Sequence, residues 1–359
     1  MTVIQIVTNK VWGGGERYVL DLASALSADG HTVCIVGRKG YPAATQPMRD
    51  KGLRVTELPF GGLFDFTTVP ALARMLREHT GEPTVVHTHN FKDAALAVKA
   101  KRRSGRTDVR VVCTRHLVKP GKEHMGHGAD YADLHRIIFV SDLARRAFIE
   151  GHPQLSLTHT CVIHNAVSPT EPVHRAMPEY RAGMDLHLAF LGRITPEKGL
   201  ETLIRALSDP TLRHAKVDVY GTGDEQYVAK LKEQALQQAP TQFTWHGKVD
   251  NIWPALQRAH ALVAPSVARE AFGLVLIEAM AAGRPVIASN NGAQAEIVTH
   301  GRNGLLVGPG DAHALVHAIK KLMANPDDLV QMGHSALSTA MSRFSFQTFY
   351  QNTLKAYSS

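Results

Sequence analysis

Short apolar runs alternate with amphipathic segments along the first part of the chain. Residues 3–8 form an apolar run typical of a buried strand, and three glycines at 13–15 separate it from the next segment. In that segment the apolar positions have the spacing of one helix face: Val19, Leu22, Ala23 and Leu26. Gly30 ends this helix, and further β-rich runs lie at 32–36, 85–88, 110–114 and 137–140. This alternation predicts a parallel sheet covered by helices.

The alternation stops around residues 167–184, in a polar stretch that contains proline, and then starts again. Strands are predicted at 188–191, 216–220, 261–264 and 285–288, and a helix at 200–207. We therefore expect an α/β protein with two Rossmann-like, doubly wound domains facing a central cleft. Their predicted extents are 1–170 and 184–340, with a linker at 171–183 and a final helix, 341–359, that packs back on the first domain.

Composition and charge narrow the setting of the protein. The chain has 359 residues and a formal net charge of +8, which favours anionic partners, although a charged surface also serves solubility. The cysteines Cys34, Cys113 and Cys161 form no CxxC pair, and no signal peptide or membrane-length apolar run occurs. These features predict a cytoplasmic protein that does not bind nucleic acid. One basic run comprises Lys99, Lys101, Arg102, Arg103 and Arg106. This run is either a solvated helix end or a surface that contacts an anionic membrane or acceptor.

The segment from Ala264 to Pro285 carries the most chemistry. A strand ends at Pro265, Glu270 lies in the loop, and Gly273 opens a helix that Gly283 terminates. The first backbone N–H groups of this helix and its dipole form a site suited to phosphate. The two carboxylates, Glu270 and Glu278, could reach sugar and ribose hydroxyls, although two glutamates spaced this way are usually ordinary surface residues.

Two cations follow another predicted strand end. Arg193 offers a planar fork to phosphate oxygens, and Lys198 offers a mobile point charge. Both could meet the diphosphate of a bound nucleotide, or both could be solvated surface charges. No Asp-x-Asp sequence occurs, which favours a site that neutralises the diphosphate without a metal ion.

The glycine loop after the first strand allows a second interpretation. A dinucleotide-binding fingerprint needs a third glycine where this chain has Tyr18, and no acidic residue follows the second strand. Arg38 at that place would suit the 2′-phosphate of NADP, so an NADP-dependent oxidoreductase stays as an alternative. A non-catalytic sugar-nucleotide-binding protein is a further alternative.

Histidines cluster at the predicted strand ends of the first domain. His87 and His89 are two residues apart and so point to one face, and His116 follows the next strand. Metal binding is one interpretation of such a cluster, but the sequence does not specify a third ligand clearly. The other interpretation is that one of the histidines occupies a position in the core.

Taken together, these motifs resemble the GT-B glycosyltransferases of family 4, which includes many retaining bacterial enzymes. The resemblance covers nearly the whole chain and rests on five motifs in order: Gly13-Gly14-Gly15-Glu16, His87-Thr-His89, Gly192-Arg193-Ile-Thr-Pro-Glu-Lys198-Gly199, Glu270-x7-Glu278 and Asn303-Gly-Leu-Leu-Val307. One departure is Asn165-Ala166-Val167-Ser168, where the family often has Asn-Gly-Val-Asp. The resemblance therefore does not extend to a contact of residues 165–168 with the donor.

The resemblance implies a retaining transferase that moves a hexose-type sugar from a nucleotide-diphosphate sugar to an envelope glycan, glycolipid or other small acceptor. UDP-sugar is the first expectation for the donor and GDP-mannose the second, with no cofactor and no metal. It implies catalytic roles for His89, Glu270, Arg193 and Lys198. The donor-binding set is Gly14, Gly15, Arg193, Lys198, Gly221, Val249, Glu270, Ala271, Phe272, Gly273, Leu274 and Glu278. The acceptor side comprises Glu16, His116 and Lys119. The loop at 117–129 is glycine-rich, polar and charged, so it is either a plain surface loop or, as a hypothesis, part of a lid on the acceptor side.

Overall fold

The computed structural model describes residues 1–61, 66–79, 81–120, 125, 129–152, 159–169 and 176–358. The backbone divides into two compact units, Met1–Asn165 with Gln347–Ser359 and Ala166–Phe346. They are called the first unit and the second unit below. Residues 176–183, expected in the linker, group with the second unit. The buried Tyr180 explains this grouping, because its hydroxyl donates to the Met323 carbonyl at 3.1 Å.

The first unit is built on a parallel sheet with helices between most successive strands. Its described strands are β1 (Thr2–Val7), β2 (Thr32–Arg38), β3 (Arg54–Leu58), β4 (Thr84–Thr88), β5 (Val109–Arg115), β6 (Arg136–Phe139) and β7 (Thr160–Val162). They are arranged in the order β3-β2-β1-β4-β5-β6-β7. The described helices before residue 165 are α1 (Gly14–Ala28), α2 (Gln46–Asp50), α3 (Thr68–Glu78), α4 (Phe91–Ser104) and α5 (Asp142–Ile149). Every residue of β1 is buried, as expected for a strand covered on both faces.

The second unit has the same architecture, with six described strands in its sheet instead of seven. Its described strands are β8 (Leu186–Leu191), β9 (Ala215–Tyr220), β10 (Phe243–Gly247), β11 (Ala261–Ala264), β12 (Val286–Ser289) and β13 (Gly304–Val307). All pairings are parallel, in the order β10-β9-β8-β11-β12-β13. The described helices are α6 (Leu200–Leu207), α7 (Glu225–Gln238), α8 (Trp253–Arg258), α9 (Leu274–Ala281), α10 (Gln294–Ile297), α11 (Ala312–Ala324) and α12 (Pro326–Arg343). Two doubly wound sheets are thus present, as the sequence predicted.

The last helix, α13 (Phe346–Ser358), returns to the first unit. Its buried face carries Phe349, Tyr350 and Tyr357, and the Tyr350 hydroxyl donates to Asp29 at 2.6 Å. The Tyr357 carbonyl accepts from Arg110 at 2.6 Å. Residues 341–346, expected to pack on the first domain, belong to the second unit instead, because α12 continues to Arg343.

No described helix combines the length and the apolarity needed to cross a membrane.

Candidate functional site

Two charged side chains meet where the strand order of the second sheet reverses. β8 and β11 are neighbours there, and later strands are added on opposite sides, so their carboxyl ends form the expected ligand position of a doubly wound sheet. Lys198, in a short turn after β8, donates from Nζ to Oε1 of Glu270 at 2.8 Å. Their side chains are 28% and 20% exposed, so the pair is partly sheltered yet reachable from solvent. Arg193 is exposed in the same connection, and Val249 is half-buried after β10.

The carboxylate of Glu270 is held from several sides. Ser266 donates its hydroxyl to the same Oε1 atom that binds Lys198. The backbone of Glu270 forms a parallel bridge with Gly292, and its carbonyl accepts from the Ala293 N–H at 3.0 Å. These contacts fix the loop after β11 against the loop after β12. Ser266 and Gly292 were not singled out from the sequence; both follow predicted strands, which was the only available signal.

Helix α9 begins directly beside this pair. Gly273 adopts a φ of 116°, a conformation that suits glycine, and the helix starts at Leu274. Phe272 anchors the turn with a ring that is 4% exposed and lies edge-on to Phe344, 5.7 Å between centroids. The Leu276 N–H donates to the Gly273 carbonyl at 3.0 Å, and the N–H groups that precede it are at a helix start, which favours an anion. Ala271 and Glu278, the latter in the second turn of α9, are half-buried.

Backbone segments approach each other closely at this sheet edge. A Cβ atom on Gly221 would lie 1.8 Å from the Gly192 carbonyl oxygen, and one on Gly292 would lie 2.7 Å from Glu270 backbone atoms. Both residues have positive φ angles, 143° and 131°. Gly221, predicted to bind the donor, is therefore also required for packing between the loops after β8 and β9.

The corresponding edge of the first unit holds neutral polar side chains. Gln5 of β1 and His87 of β4 are register partners at the point where the strand order of this sheet reverses. His87 contacts the Tyr357 hydroxyl through Nδ1 and the Thr114 hydroxyl through Nε2, each at 2.7 Å. His89 contacts Oε1 of Gln5 through Nε2 at 3.0 Å. Gln5, Thr114 and Tyr357 were missed by the sequence analysis, although a glutamine inside the apolar strand β1 was a visible anomaly.

The three predicted histidines come together. The rings of His87 and His89 are 4.6 Å apart between centroids, and those of His89 and His116 are 5.6 Å apart. His89 Nδ1 lies 3.3 Å from His116 Nε2. Burial lowers the pKa of His87 to about 3 and that of His116 to about 4, and it holds the pKa of His89 well below its usual range. Within the described part of the chain, no group of histidine, cysteine and acidic side chains has an arrangement that could hold a metal ion.

The glycine loop after β1 does not have the packing of a dinucleotide site. Tyr18, at the place of the third fingerprint glycine, is 8% exposed and stands edge-on to His89 and His116, 5.4 and 5.3 Å between centroids. Arg38 lies over the ring of Tyr41 at 5.2 Å. The side chain of Tyr18 therefore fills the space where a fingerprint glycine would allow close packing of helix and strand.

The residues expected on the acceptor side have different environments. Gly14 and Gly15 open α1, and Glu16 in its first turn is 3% exposed and accepts from the Asn9 side chain. Glu16 thus ties α1 to the end of β1 in this structure. Lys119 is exposed, and its carbonyl accepts from Arg115 at 2.6 Å. Most of the predicted lid, 121–124 and 126–128, lies outside the described residues.

Two arginines of the basic run at the end of α4 form contacts with other residues of the first unit. Arg102 pairs with Asp133 at 2.7 Å, and Arg106 donates to the Leu76 and His79 carbonyls, each at 2.7 Å. Arg103 is exposed, whereas Lys99 and Lys101 are half-buried.

Two Rossmann-like sheets, each with its candidate residues at the switch point, are the architecture expected for a GT-B glycosyltransferase. Family models for "Glycosyl transferases group 1" and "Glycosyltransferase Family 4" match residues 178–338 and 12–171. The chain belongs to the family 4, group 1 glycosyltransferases and is a transferase, which removes the oxidoreductase alternative.

Similar proteins span nearly the same length. Glycogen synthase of Mycobacterium tuberculosis is 28% identical, over 97% of this chain and 91% of that protein. Phosphatidyl-myo-inositol mannosyltransferase of Mycolicibacterium smegmatis is 27% identical, over 96% and 90%. The crystal structure of Anabaena HepE in complex with UDP and glucose superposes with a TM-score of 0.82 at 20% identity, over 100% of both chains. At this identity the superposition establishes the fold alone.

Proposed function

We propose that the protein is a retaining, metal-independent hexosyltransferase that uses a UDP-sugar as its donor. One observation carries this proposal: Lys198 and Glu270 are joined at 2.8 Å at the switch point of the second sheet, beside the start of α9. The pair supplies a cation and a carboxylate where a doubly wound sheet binds its ligand.

The second unit provides a group for each part of the donor. Arg193, Lys198 and the N–H groups at the start of α9 would neutralise the diphosphate as it leaves. Glu278 would accept from the ribose hydroxyls. Glu270, with the backbone of 272–274, would orient the sugar.

The chemistry requires no protein carboxylate base. The bond between the anomeric carbon and the phosphate oxygen breaks, and the acceptor oxygen bonds to that carbon on the same face. The departing phosphate takes the acceptor's proton, so charge and protons balance within the two substrates. Lys198 stabilises the negative charge that develops on the phosphate, which is where fixed donors lower a barrier most.

The expectation of a UDP-sugar is supported by the similar fold of HepE, which was crystallised with UDP and glucose. A GDP-mannose-dependent phosphatidylinositol monomannoside mannosyltransferase of Mycobacterium tuberculosis, 28% identical over 93% of this chain, keeps GDP-mannose as the second candidate. The name of that relative supports a lipid-linked acceptor, and we propose with it a peripheral position at the inner face of the membrane. On this chain Lys99, Lys101 and Arg103 would contact anionic lipid, since Arg102 and Arg106 already have internal partners.

A thermal-shift panel of UDP-, GDP- and ADP-sugars, with EDTA present, tests the donor. We expect the largest stabilisation from a UDP-sugar, because ligand binding to the folded state raises the unfolding temperature. Glu278→Ala should abolish that shift. Glu225→Ala, an exposed glutamate in the first turn of α7, is the matched control and should keep it. An unchanged shift in Glu278→Ala would show the ribose assignment to be wrong.

The stereochemistry and the acceptor need separate measurements. Anomeric coupling constants of the product formed with the best donor should match those of the donor sugar, and inversion would overturn the retaining proposal. Sedimentation with phosphatidylglycerol vesicles should weaken in a Lys99→Ala, Lys101→Ala, Arg103→Ala triple variant. Equal sedimentation of the wild type with phosphatidylcholine vesicles would contradict the electrostatic contact.

A further inference from the structure

A continuous chain of polar contacts runs from helix α13 to the surface of the first unit. The Tyr357 hydroxyl lies 3.2 Å from Gln5 Nε2 and 2.7 Å from His87 Nδ1. Oε1 of Gln5 contacts Nε2 of His89 at 3.0 Å, and Nδ1 of His89 contacts Nε2 of His116 at 3.3 Å. Every member of this chain belongs to the first unit.

The orientation of the Gln5 amide sets the direction of its two hydrogen bonds, to His89 and to Tyr357. Its Oε1 atom can only accept, so His89 must donate from Nε2, which leaves a lone pair on His89 Nδ1. His116 must then donate from Nε2 to His89. Burial lowers the pKa of both imidazoles, so each is neutral, and in these contacts each carries its proton on Nε2.

The other half of the chain follows the same rule. The amide nitrogen of Gln5 donates to the Tyr357 hydroxyl. The direction of the bond between that hydroxyl and His87 Nδ1 depends on the His87 tautomer, and in the Nε2–H tautomer the hydroxyl is the donor. His87 donates from Nε2 to the Thr114 hydroxyl, which lies 3.4 Å from the Tyr18 hydroxyl. All the donors point one way, and each bond depends on the one before it.

Both ring nitrogens of His89 are thereby occupied. Its ring cannot rotate without leaving Gln5 or His116 unpaired, and unpaired buried polar groups cost about 1–3 kcal/mol each. Burial also keeps the pKa of all three histidines below the usual value, which is consistent with the neutral forms that the chain requires.

We propose that Gln5 and Tyr357 are positioning residues that fix the ring and the Nε2–H tautomer of His89. The same chain leaves His116 with an unprotonated Nδ1, an acceptor for a substrate hydroxyl. Helix α13 is thus part of the candidate site of the first unit, in addition to its role in packing. This inference rests on the proposed function in one respect, namely that His89 and His116 contact substrate.

Tyr357→Phe tests the positioning role with the smallest change. The ring stays in place, but Gln5 and His87 lose their shared partner, so the amide of Gln5 can turn and His89 can change tautomer. We expect kcat to fall roughly 10-fold, about 1.4 kcal/mol in the barrier, with an unchanged KM for the donor. Tyr350→Phe is the matched control, because it removes a buried hydroxyl on the same helix that bonds to Asp29. It should keep the wild-type kcat.

Substitutions at Gln5 separate positioning from packing. Gln5→Leu removes both bonds and should lower kcat at least as much as Tyr357→Phe. Gln5→Glu keeps an acceptor for His89, so it should recover part of the lost kcat. It should also move the acidic limb of the pH–rate profile upward, because a carboxylate beside His89 raises the pKa of the imidazole. Equal losses in both variants, with no shift of the profile, would indicate a structural role only.

Nitrogen-15 NMR of labelled histidine gives a result that does not depend on activity. In the full-length protein we expect Nε2–H tautomers for His87, His89 and His116, assigned by single His→Gln variants. Tyr357→Phe should change the signals of His89 and His87, and Tyr350→Phe should not. Nδ1–H or imidazolium signals in the wild type at pH 7.5 would overturn the proposal. Absence of turnover with every nucleotide sugar would instead refute the proposed function and leave the NMR result standing.

Discussion

The two units place different chemistry at equivalent edges of similar sheets. At the switch point of the second sheet the central contact is ionic, between Lys198 and Glu270, and both side chains are partly exposed. At the switch point of the first sheet, Gln5 and His87 are buried and uncharged, and His87 is 0% exposed. One edge presents charge to solvent, whereas the other buries its polar groups and orders them by hydrogen bonds.

The difference shows two ways to prepare a site. A charged pair near solvent needs only rigid loops, because its side chains keep part of their hydration. A buried polar chain must satisfy every donor and acceptor, since an unpaired group there is costly. We therefore expect the second unit to respond to loss of charge and loop geometry, and the first unit to respond to loss of single hydrogen bonds and to pH.

The largest effect is expected at Lys198. Lys198→Ala removes the cation beside the leaving phosphate and should lower kcat/KM about 10²–10³-fold, the usual loss when one fixed donor to transition-state charge is removed. Turnover of radiolabelled donor measures it. Lys230→Ala is the control, because Lys230 also pairs with a glutamate of the second unit, at 3.6 Å, but with 60% of its side chain exposed. Similar turnover in both variants would show that the Lys198–Glu270 pair is not part of the site.

Loop geometry comes next. Gly292→Ala forces a Cβ to within 2.7 Å of the Glu270 backbone at a φ of 131°, so we expect a loss of about 3 kcal/mol in the free energy of unfolding. Gly301→Ala has a φ of 78° and nothing within 4 Å, and should lose only about 1–2 kcal/mol. Urea denaturation compares the two. Equal losses would mean that the contact between the loops after β11 and β12 has no energetic weight.

The pH dependence of stability tests the neutral chain of the first unit. The folded pKa of His87 is lowered to about 3 by burial, below the unfolded value of about 6.5, so the unfolded state binds more protons between these values. Stability is complete above pH 6.5 and falls as the pH drops, by at most about 1.4 kcal/mol per pH unit for this group. Urea denaturation at pH 7.5, 6.0 and 5.0 should show a shallower dependence in His87→Gln. The same slope in both proteins would contradict a neutral His87.

The smallest effect is expected at Ser266. Ser266→Ala removes one hydrogen bond to Glu270 but leaves Lys198 in place, so we expect a loss of about 1 kcal/mol, or roughly 5-fold in kcat/KM. Radiolabelled donor turnover measures this as well. Ser266→Thr keeps the hydroxyl and should recover most of the activity. A loss as large as that of Lys198→Ala would mean that the hydroxyl, and not the ion pair, positions Glu270.

Much of the fold could be predicted because the local periodicity of apolar residues indicates which segments form helices and which form strands. The helix at 200–207 and the strand at 261–264 were predicted with the bounds that the structure has. β3 and β10 were missed, because β3 is largely half-buried and β10 alternates between half-buried and exposed residues instead of forming an apolar run. The ionic half of the candidate site was visible as well, since Arg193, Lys198 and Glu270 are charged residues in loops that follow strands. Glu278 lies in the helix after β11.

The sequence by itself determined the alternation of strands and helices, the family and the charged residues after β8 and β11, because each is a local pattern. Only the tertiary structure decided which polar groups meet over long separations. Tyr357 reaches His87 and Gln5 because α13 returns to the first unit. Arg284 is a second example: its side chain is 0% exposed, and its buried guanidinium donates to the Leu256 and Ala176 carbonyls. A buried polar group is stable only with its partners, and those partners are chosen by the fold rather than by sequence neighbours.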